Sequence, residues 1–273
     1  FTNPNKSKVY LGKGVIDALP KLKIIATAST GTVHIDNAYC TEKGIEVISI
    51  TKEISVLEKI TSTAEHAFLL TLAGCRNILQ ACNSVTAGEW DYERFVGRQL
   101  NQLKIGVIGY GRLGKMYAHY AHSFGADVYV SDPYLKDVLA KTPYTSVDER
   151  YIFENCDVVA LHIHATDDNF KFVSKDLLNI AKPNLLLVNT SRGEVVDELD
   201  LFDFLNQNKS AKYYTDVLFE EYRGLENNPL YKSNLYGKQV VITPHIGGMS
   251  IDAQLIAYNH CYKLLTRFLN KAS

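Results

Sequence analysis

Short apolar runs rich in β-branched and aromatic residues recur at positions 105–108, 128–130, 158–162, 185–189, 213–217 and 240–243, with longer stretches of mixed polarity between them. Runs that stay apolar without alternating suit strands buried on both faces, as in a parallel sheet. Their alternation with helical stretches predicts an α/β fold, a Rossmann-type, doubly wound parallel sheet covered by helices on both sides.

The first part of the chain reads as a second, smaller α/β portion. Residues 22–26 and 47–50 are predicted strands flanking a loop. Ser62 and Glu65 have the spacing of a capping box and are followed by Phe68, Leu69, Leu72 and Ala73 at helical spacing, which predicts a helix to about residue 80. Ser146 and Glu149 repeat that spacing and predict another helix start. Residues 82–102 are mixed and polar and read as a crossing between domains. Near the C-terminus Ile251, Leu255, Tyr258, Tyr262, Leu265 and Leu269 step by four and three along one helix face, with Ser250 as the N-cap. The expected organisation is a larger domain of residues 83–248 and a smaller one combining 1–82 with 249–273.

Of the 273 residues 46% are hydrophobic and 22% charged, a balance that excludes a disordered chain. The 29 Lys+Arg against 30 Asp+Glu exclude the basic excess of a nucleic-acid binder. No apolar run approaches the ~20 residues of a membrane helix, so no membrane partner is expected. The five cysteines, Cys40, Cys75, Cys82, Cys156 and Cys261, are odd in number and never paired as C-x-x-C. They argue against a disulfide framework or a zinc ribbon and for a reducing, cytoplasmic location. His162 and His164 share one side of a predicted strand, but no third ligand accompanies them in sequence, and no metal is expected.

The run at 105–108 leads into Gly109-Tyr110-Gly111-Arg112-Leu113-Gly114, a G-x-G-x-x-G between a strand and a helix. The helix carries Leu113, Tyr117, Tyr120 and Phe124 on one face and ends at Gly125. A second strand then leads to Asp132, 18 residues after the third glycine. Gly109 permits the tight turn, Gly111 lets the backbone approach a pyrophosphate, and Gly114 lets helix close on strand. The helix N-terminus offers free amides and a positive dipole end to phosphates. Asp132 is placed to accept hydrogen bonds from a ribose diol and to repel a 2′-phosphate, which favours NAD over NADP, while Arg112 beside the phosphates leaves NADP open. Turn-forming glycines alone do not account for strand, helix, second strand and acidic residue in this order.

Three polar clusters follow later predicted strands: residues 189–193, 216–221 and 243–248. In an open parallel sheet ligands bind beyond the carboxyl ends of the strands, so clusters distant in sequence can converge there. With GYGRLG, NTSRGEVVDE, the 216–221 run and TPHIGG in this order, the chain resembles the D-2-hydroxyacid dehydrogenase family over nearly its whole length. The resemblance implies an NAD-dependent enzyme that passes a hydride between nicotinamide and a small D-2-hydroxy or 2-keto acid, and a smaller α/β portion of flavodoxin-like kind. Arg192 would hold the substrate carboxylate and polarise the neighbouring carbonyl. His245 would be the general acid/base and Glu221 its carboxylate partner; Glu220, its neighbour, is the alternative. Asp216 would bind the nicotinamide carboxamide. Thr190, Ser191, His245 and Gly247 would lie along the cofactor with Gly109, Gly111, Arg112, Leu113, Gly114 and Asp132, and His162 would pass its adenosine side. Thr30 and Gly31, in a loop resembling the family's glycine loop, would offer backbone amides to the substrate carboxylate. Trp90 would serve packing.

The sequence departs from the family pattern at His164, where a proline is usual, and at Tyr222, where a proline usually follows the glutamate. Family members usually carry about one more strand–helix–strand unit before the glycine loop, so roughly 40 preceding residues are expected to be missing. The resemblance also implies a homodimer. Two other readings stay open: a relative acting on a different acid such as formate, and an NAD(H)-sensing binding module of the co-repressor type without significant turnover.

Overall fold

The computed structural model describes every residue except 3–8, 30, 33, 234 and 273. The chain divides into two compact units, 62–247 and a second made of 1–61 with 248–273.

The smaller unit is α/β. Its strands β1 (Ile24–Ala26) and β2 (Glu46–Ile48) pair in parallel, and single parallel bridges join Thr2 to Thr27 and Leu11 to Ile35. Ile16, Ile25, Tyr39, Cys40 and Ile45 form one core cluster, and Ile50 and Leu57 pack with Ala257 and Cys261 of the long C-terminal helix, Ile251–Ala272. Ser250 opens that helix as expected, its Oγ accepting Ala253 N–H at 3.1 Å.

The larger unit is built on seven parallel strands. They are β3 (Lys104–Ile108), β4 (Asp127–Ser131), β5 (Thr145–Ser146), β6 (Val158–Leu161), β7 (Leu186–Asn189), β8 (Lys212–Thr215) and β9 (Val240–Ile242). Their order is β5-β4-β3-β6-β7-β8-β9. The chain thus winds outward one way from β3 and then returns to start again at β6, leaving a switch point between these two neighbours. Each strand feeds two cores because successive side chains point to opposite faces. Val158 and Ala160 of β6 and Val188 of β7 join one cluster with Tyr117, Ala118 and Phe68. Val159, Leu161 and Leu187 join the other with Ile152, Phe153 and Leu201. This two-sided burial explains why the strands read as continuous apolar runs.

The helix Ser62–Arg76 lies on β7 and β8 and against the helix Arg112–Ser123. Fully buried Tyr117 bonds Thr71 Oγ1 through its hydroxyl at 2.7 Å and meets the Phe68 ring edge-on at 6.0 Å. Residues from Ser62 onward therefore fold with the larger unit, whereas the sequence placed the boundary at 82/83. An apolar helical stripe looks the same whichever sheet it covers, so periodicity could not assign it.

That helix ends earlier than the expected residue 80. Asn77 is left-handed at φ 53°, and Lys212 Nζ donates to Gly74 O at 2.7 Å and Asn77 Oδ1 at 2.6 Å, taking up the C-terminal carbonyl end. A separate helix Ile78–Thr86 follows. Neither expected capping box forms. Ser62 is itself the first helical residue and its buried hydroxyl has no partner. Ser146 belongs to β5, and the next helix, Glu149–Asn155, is capped by Asp148, whose side chain accepts from Tyr151 N–H. Trp90, expected to pack, stands 88% exposed in the single chain. Among the described residues no helix is long and apolar enough to cross a membrane.

Candidate active site

The glycine loop leaves β3 at the switch point. Gly109 has φ +91°, and a Cβ there would sit 2.6 Å from the His162 carbonyl. A Cβ on Gly114 would run into Gly109 O, so helix and turn touch backbone to backbone. Gly111, the N-cap of the helix Arg112–Ser123, has nothing within 4 Å of where its Cβ would be. The space beside Gly111 is therefore open, as close approach of a phosphate to this turn requires. Arg112 and Leu113 are half-buried in the first turn, and burial lowers the Arg112 pKa. Asp132, just past β4, accepts Tyr110 N–H at 2.8 Å and Tyr134 N–H at 2.9 Å, one on each oxygen. A carboxylate has further lone pairs for other donors.

His162 follows β6 directly. Its ring packs on Tyr117 with centroids 5.0 Å apart, its Nε2 is closed off and unpartnered, and burial pushes its pKa down to about 4. It is thus a neutral floor under the glycine loop. His164, two residues on, is exposed. Among the described residues no three His, Cys, Asp or Glu side chains gather as a metal site.

After β7 the turn 189–193 is folded by Asn189, which is fully buried. Its Oδ1 accepts Ser191 N–H (3.0 Å) and Oγ–H (2.8 Å), and its Nδ2 donates to Arg192 O (2.9 Å). Thr190 is 5% exposed and its hydroxyl has no partner, a buried polar atom of the kind a bound ligand satisfies. Arg192 is half-buried and donates from its guanidinium to Ser191 O at 2.6 Å.

Asp216, following β8, is 2% exposed. Its carboxylate accepts the Thr243 hydroxyl (2.6 Å), Ile246 N–H (2.8 Å) and Gly247 N–H (2.7 Å), and His66 Nε2 lies 3.4 Å away. Burial alone would raise its pKa, but these hydrogen bonds, with His66 the strongest, hold it below the usual carboxylate range. His66 Nε2 also bonds Thr243 Oγ1 at 2.9 Å. Asp216 therefore ties the segment after β9 to the end of β8. Within that segment His245 takes a left-handed backbone, φ 53°, held by its own N–H to Asp216 O at 3.0 Å. A non-glycine residue there stores strain, which the Asp216 network sustains.

His245 Nδ1 bonds Glu221 Oε1. Of the two acidic neighbours it is Glu221 that reaches the imidazole; Glu220 pairs with Arg223 at 2.9 Å. The Glu221 hydrogen bond, aided by the charges of Glu221 and Asp216, raises the His245 pKa above its ordinary value against burial and Arg192. The larger unit thus gathers Arg192, Glu221, His245 and Asp216, with the glycine loop at the same strand ends. Thr30 lies outside the described residues. Gly31 belongs to the smaller unit, where its carbonyl accepts Ser29 Oγ–H at 2.7 Å. His66 was not foreseen as a site residue, and Asn189 stood in the 189–193 cluster without a role of its own; a histidine on an apolar helix carries no signal, and the work of an asparagine at a strand end shows only once its partners are known.

Comparison with known proteins gives this geometry a family. Residues 68–247 match the family model of the D-isomer specific 2-hydroxyacid dehydrogenase NAD binding domain, and residues 6–90 that of the same family's catalytic domain. The chain is 34% identical over 254 residues to a D-3-phosphoglycerate dehydrogenase of Methanocaldococcus jannaschii, covering 92% of this chain and 46% of that protein. It is 33% identical over 251 residues to a glyoxylate reductase of Thermococcus litoralis, covering 89% and 72%. It superposes on a crystal structure of D-lactate dehydrogenase from Aquifex aeolicus, complexed with NAD and lactic acid, with a TM-score of 0.81, 27% identity, and coverage of 96% and 80%. The chain spans about half the length of the phosphoglycerate dehydrogenases it matches. On the family models, the curated relatives and the shared fold together, the chain belongs to the D-isomer specific 2-hydroxyacid dehydrogenase family.

Proposed function

We propose that this chain interconverts a small D-2-hydroxy acid and its 2-keto acid, with NAD as the hydride carrier. The observation that carries the reading is the Glu221–His245 pair with Arg192, set at strand ends beside the glycine turn of one sheet. The glycine turn, the open approach at Gly111, Asp132 at the end of the next strand and the unpartnered Thr190 hydroxyl fit a dinucleotide laid across the switch point. When bound, NADH supplies the hydride that adds to the keto carbon.

The chain's own residues do the rest. Arg192 holds the substrate carboxylate, because a guanidinium is always charged and presents two parallel donors. His245, charged through Glu221, gives its proton to the keto oxygen as the hydride arrives; in the reverse direction the neutral imidazole takes the hydroxyl proton. Glu221 keeps the ring in one tautomer and stabilises its charge. Asp216 holds the 243–247 segment, and with it Gly247 and His245, at the end of β8, where its carboxylate would meet the nicotinamide carboxamide. A cytoplasmic homodimer completes the reading. Its support is the five unpaired cysteines and the apolar surface left by exposed Trp90, Tyr92 and Val96.

The test is NADH consumption with pyruvate, glyoxylate, hydroxypyruvate, oxaloacetate and 3-phosphohydroxypyruvate, each repeated with NADPH. Turnover of at least one acid, faster with NADH, is the expected result. NADH binding without turnover of any acid would refute the activity and leave a binding module.

A further inference from the structure

Glu198 is a buried acid that the proposed chemistry does not use. It begins the helix Glu198–Gln207, directly after the N-cap Asp197, and is 6% exposed. One oxygen accepts the Phe219 backbone N–H at 2.9 Å, and the other accepts the side-chain amide of Asn228. Both donors are fixed. The first is main chain. The orientation of the second is set at its far end, where Asn228 Oδ1 caps the helix Pro229–Lys232 by accepting Leu230 N–H (3.0 Å) and Tyr231 N–H (3.1 Å). Glu198 thus faces two donors. A carboxylate satisfies both, whereas a carboxylic acid or an amide satisfies one and turns a donor against the other.

The peptide held in this way lies within the 216–221 segment. Gly193, next to Arg192, packs so closely on the Leu218–Phe219 peptide that a Cβ would run into it. Leu218 N–H in turn donates to Glu221 Oε2 at 3.3 Å. The same stretch of backbone is therefore gripped by Glu198, abutted by the Arg192 turn, and bonded to the carboxylate that meets His245.

We propose that Glu198 and Asn228 form a clamp that sets Glu221 against His245 and holds the Arg192 turn in register with both. Glu198 is thus a positioning residue for the hydride-transfer site. The inference rests on the function proposed above. The ionised form of Glu198 is the one that closes the clamp. Burial pushes its carboxyl up to about 7; the Phe219 amide and Asn228 draw it down, and the charges of Asp197 and Glu194 push it up. The groups around His245 that respond are Glu221, Asp216 and Arg192.

The experiment is a reciprocal exchange in the full chain: Glu198→Gln, Asn228→Asp and the double variant. Glu198→Gln sets an amide N–H₂ against a donor, and Asn228→Asp sets two carboxylates face to face. Each single variant is expected to lose about 10- to 100-fold in kcat, the scale of a small misplacement, with KM for NADH unchanged. In the double variant the introduced amide accepts from Phe219 N–H and donates to the introduced carboxylate, which still caps its helix, so kcat recovers. In parallel, NMR titration of His245 reads the dyad without turnover. Its midpoint is expected to fall by about one unit in Glu198→Gln, as Glu221 moves away, and to return in the double variant.

A wild type that binds NADH but turns over no acid overturns the function, while the His245 titration still decides the clamp. Wild-type kcat and titration in Glu198→Gln overturn the clamp, as does a double variant that does not recover. If Glu198→Gln fails to fold, a folded double variant with the native His245 midpoint supports the clamp, and an unfolded one overturns it.

Discussion

Replacing Glu221 by Gln keeps the size and one acceptor of the side chain and removes the charge that holds the His245 imidazolium. The two side chains are 37% and 38% exposed, so solvent screens the pair. Two charges ~4 Å apart attract by ~4 kcal/mol at an effective dielectric constant of ~20. Fully exposed pairs deliver only ~0.2–1 kcal/mol. A half-exposed pair falls between, at about 1–1.5 kcal/mol, which is about one pKa unit. With Glu221 neutral, burial and Arg192 oppose the proton while only Asp216 supports it, so the midpoint falls. Reduction needs the imidazolium, so its basic limb moves about one unit lower and the variant loses about tenfold above it, with little loss on the acid plateau. Oxidation needs neutral imidazole, so its acid limb moves down as well and the variant gains there. The stability that the pair adds follows the same sign. It is fully present below the ordinary histidine value of 6.5 and is lost as pH rises through the raised folded value. The assay is kcat/KM in both directions from about pH 5 to about pH 9. A limb that stays in place or moves up, or an equal loss in both directions at every pH, would refute the assignment of Glu221 as the group that charges His245.

Three further changes address the other parts of the site and the core. Arg192→Lys keeps the charge but loses the forked pair of donors, and is expected to raise KM for the keto acid by about 10-fold or more while leaving NADH affinity intact; an unchanged KM would remove Arg192 from carboxylate binding. Asp132→Asn weakens the bond that accepts Tyr110 N–H and removes the charge that repels a 2′-phosphate, so titration should show weaker NADH binding and a smaller preference over NADPH; an unchanged preference would take Asp132 out of cofactor selection. Tyr117→Phe removes the hydroxyl bonded to Thr71, whose Oγ1 keeps its bond to Ala67 O. The expected cost is about 1 kcal/mol, a fall in Tm of about 2–4 °C by calorimetry, and no loss would show that the bond does not help dock its helix.

Much of this fold was readable because parallel strands buried on two faces need unbroken apolar runs. The runs at 105–108, 128–130, 158–162, 185–189, 213–217 and 240–243 each fall on an observed strand, β3, β4 and β6 to β9, whereas the two-residue β5 had no such run. The glycine turn was readable for a related reason: its demands are local. Gly109 must take positive φ and Gly114 must touch backbone, and no distant residue changes that. Helix ends were less readable because their partners come from elsewhere. Lys212, far along the chain, ends the helix Ser62–Arg76, and Asp148 displaces Ser146 because β5 claims the serine for the sheet.

The same distinction separates the residues expected to react from those that hold them. Arg192, Glu221 and His245 stand in short motifs, where neighbouring residues mark them. His66 and Asn228 lie outside those motifs and Glu198 closes one of them, yet the roles of all three show only through Thr243, Phe219 and the helix Pro229–Lys232. Sequence separations there run to 177 residues. Nothing in the local pattern distinguishes Glu198 from Asp197 before it, yet Asp197 caps its helix near the surface and Glu198 is buried against two donors. Burying a carboxylate is costly unless its oxygens are satisfied. Its place beneath the Glu221 segment is therefore sustained by donors that the fold itself supplies, and a change at either donor reaches the proposed proton-transfer pair without touching it.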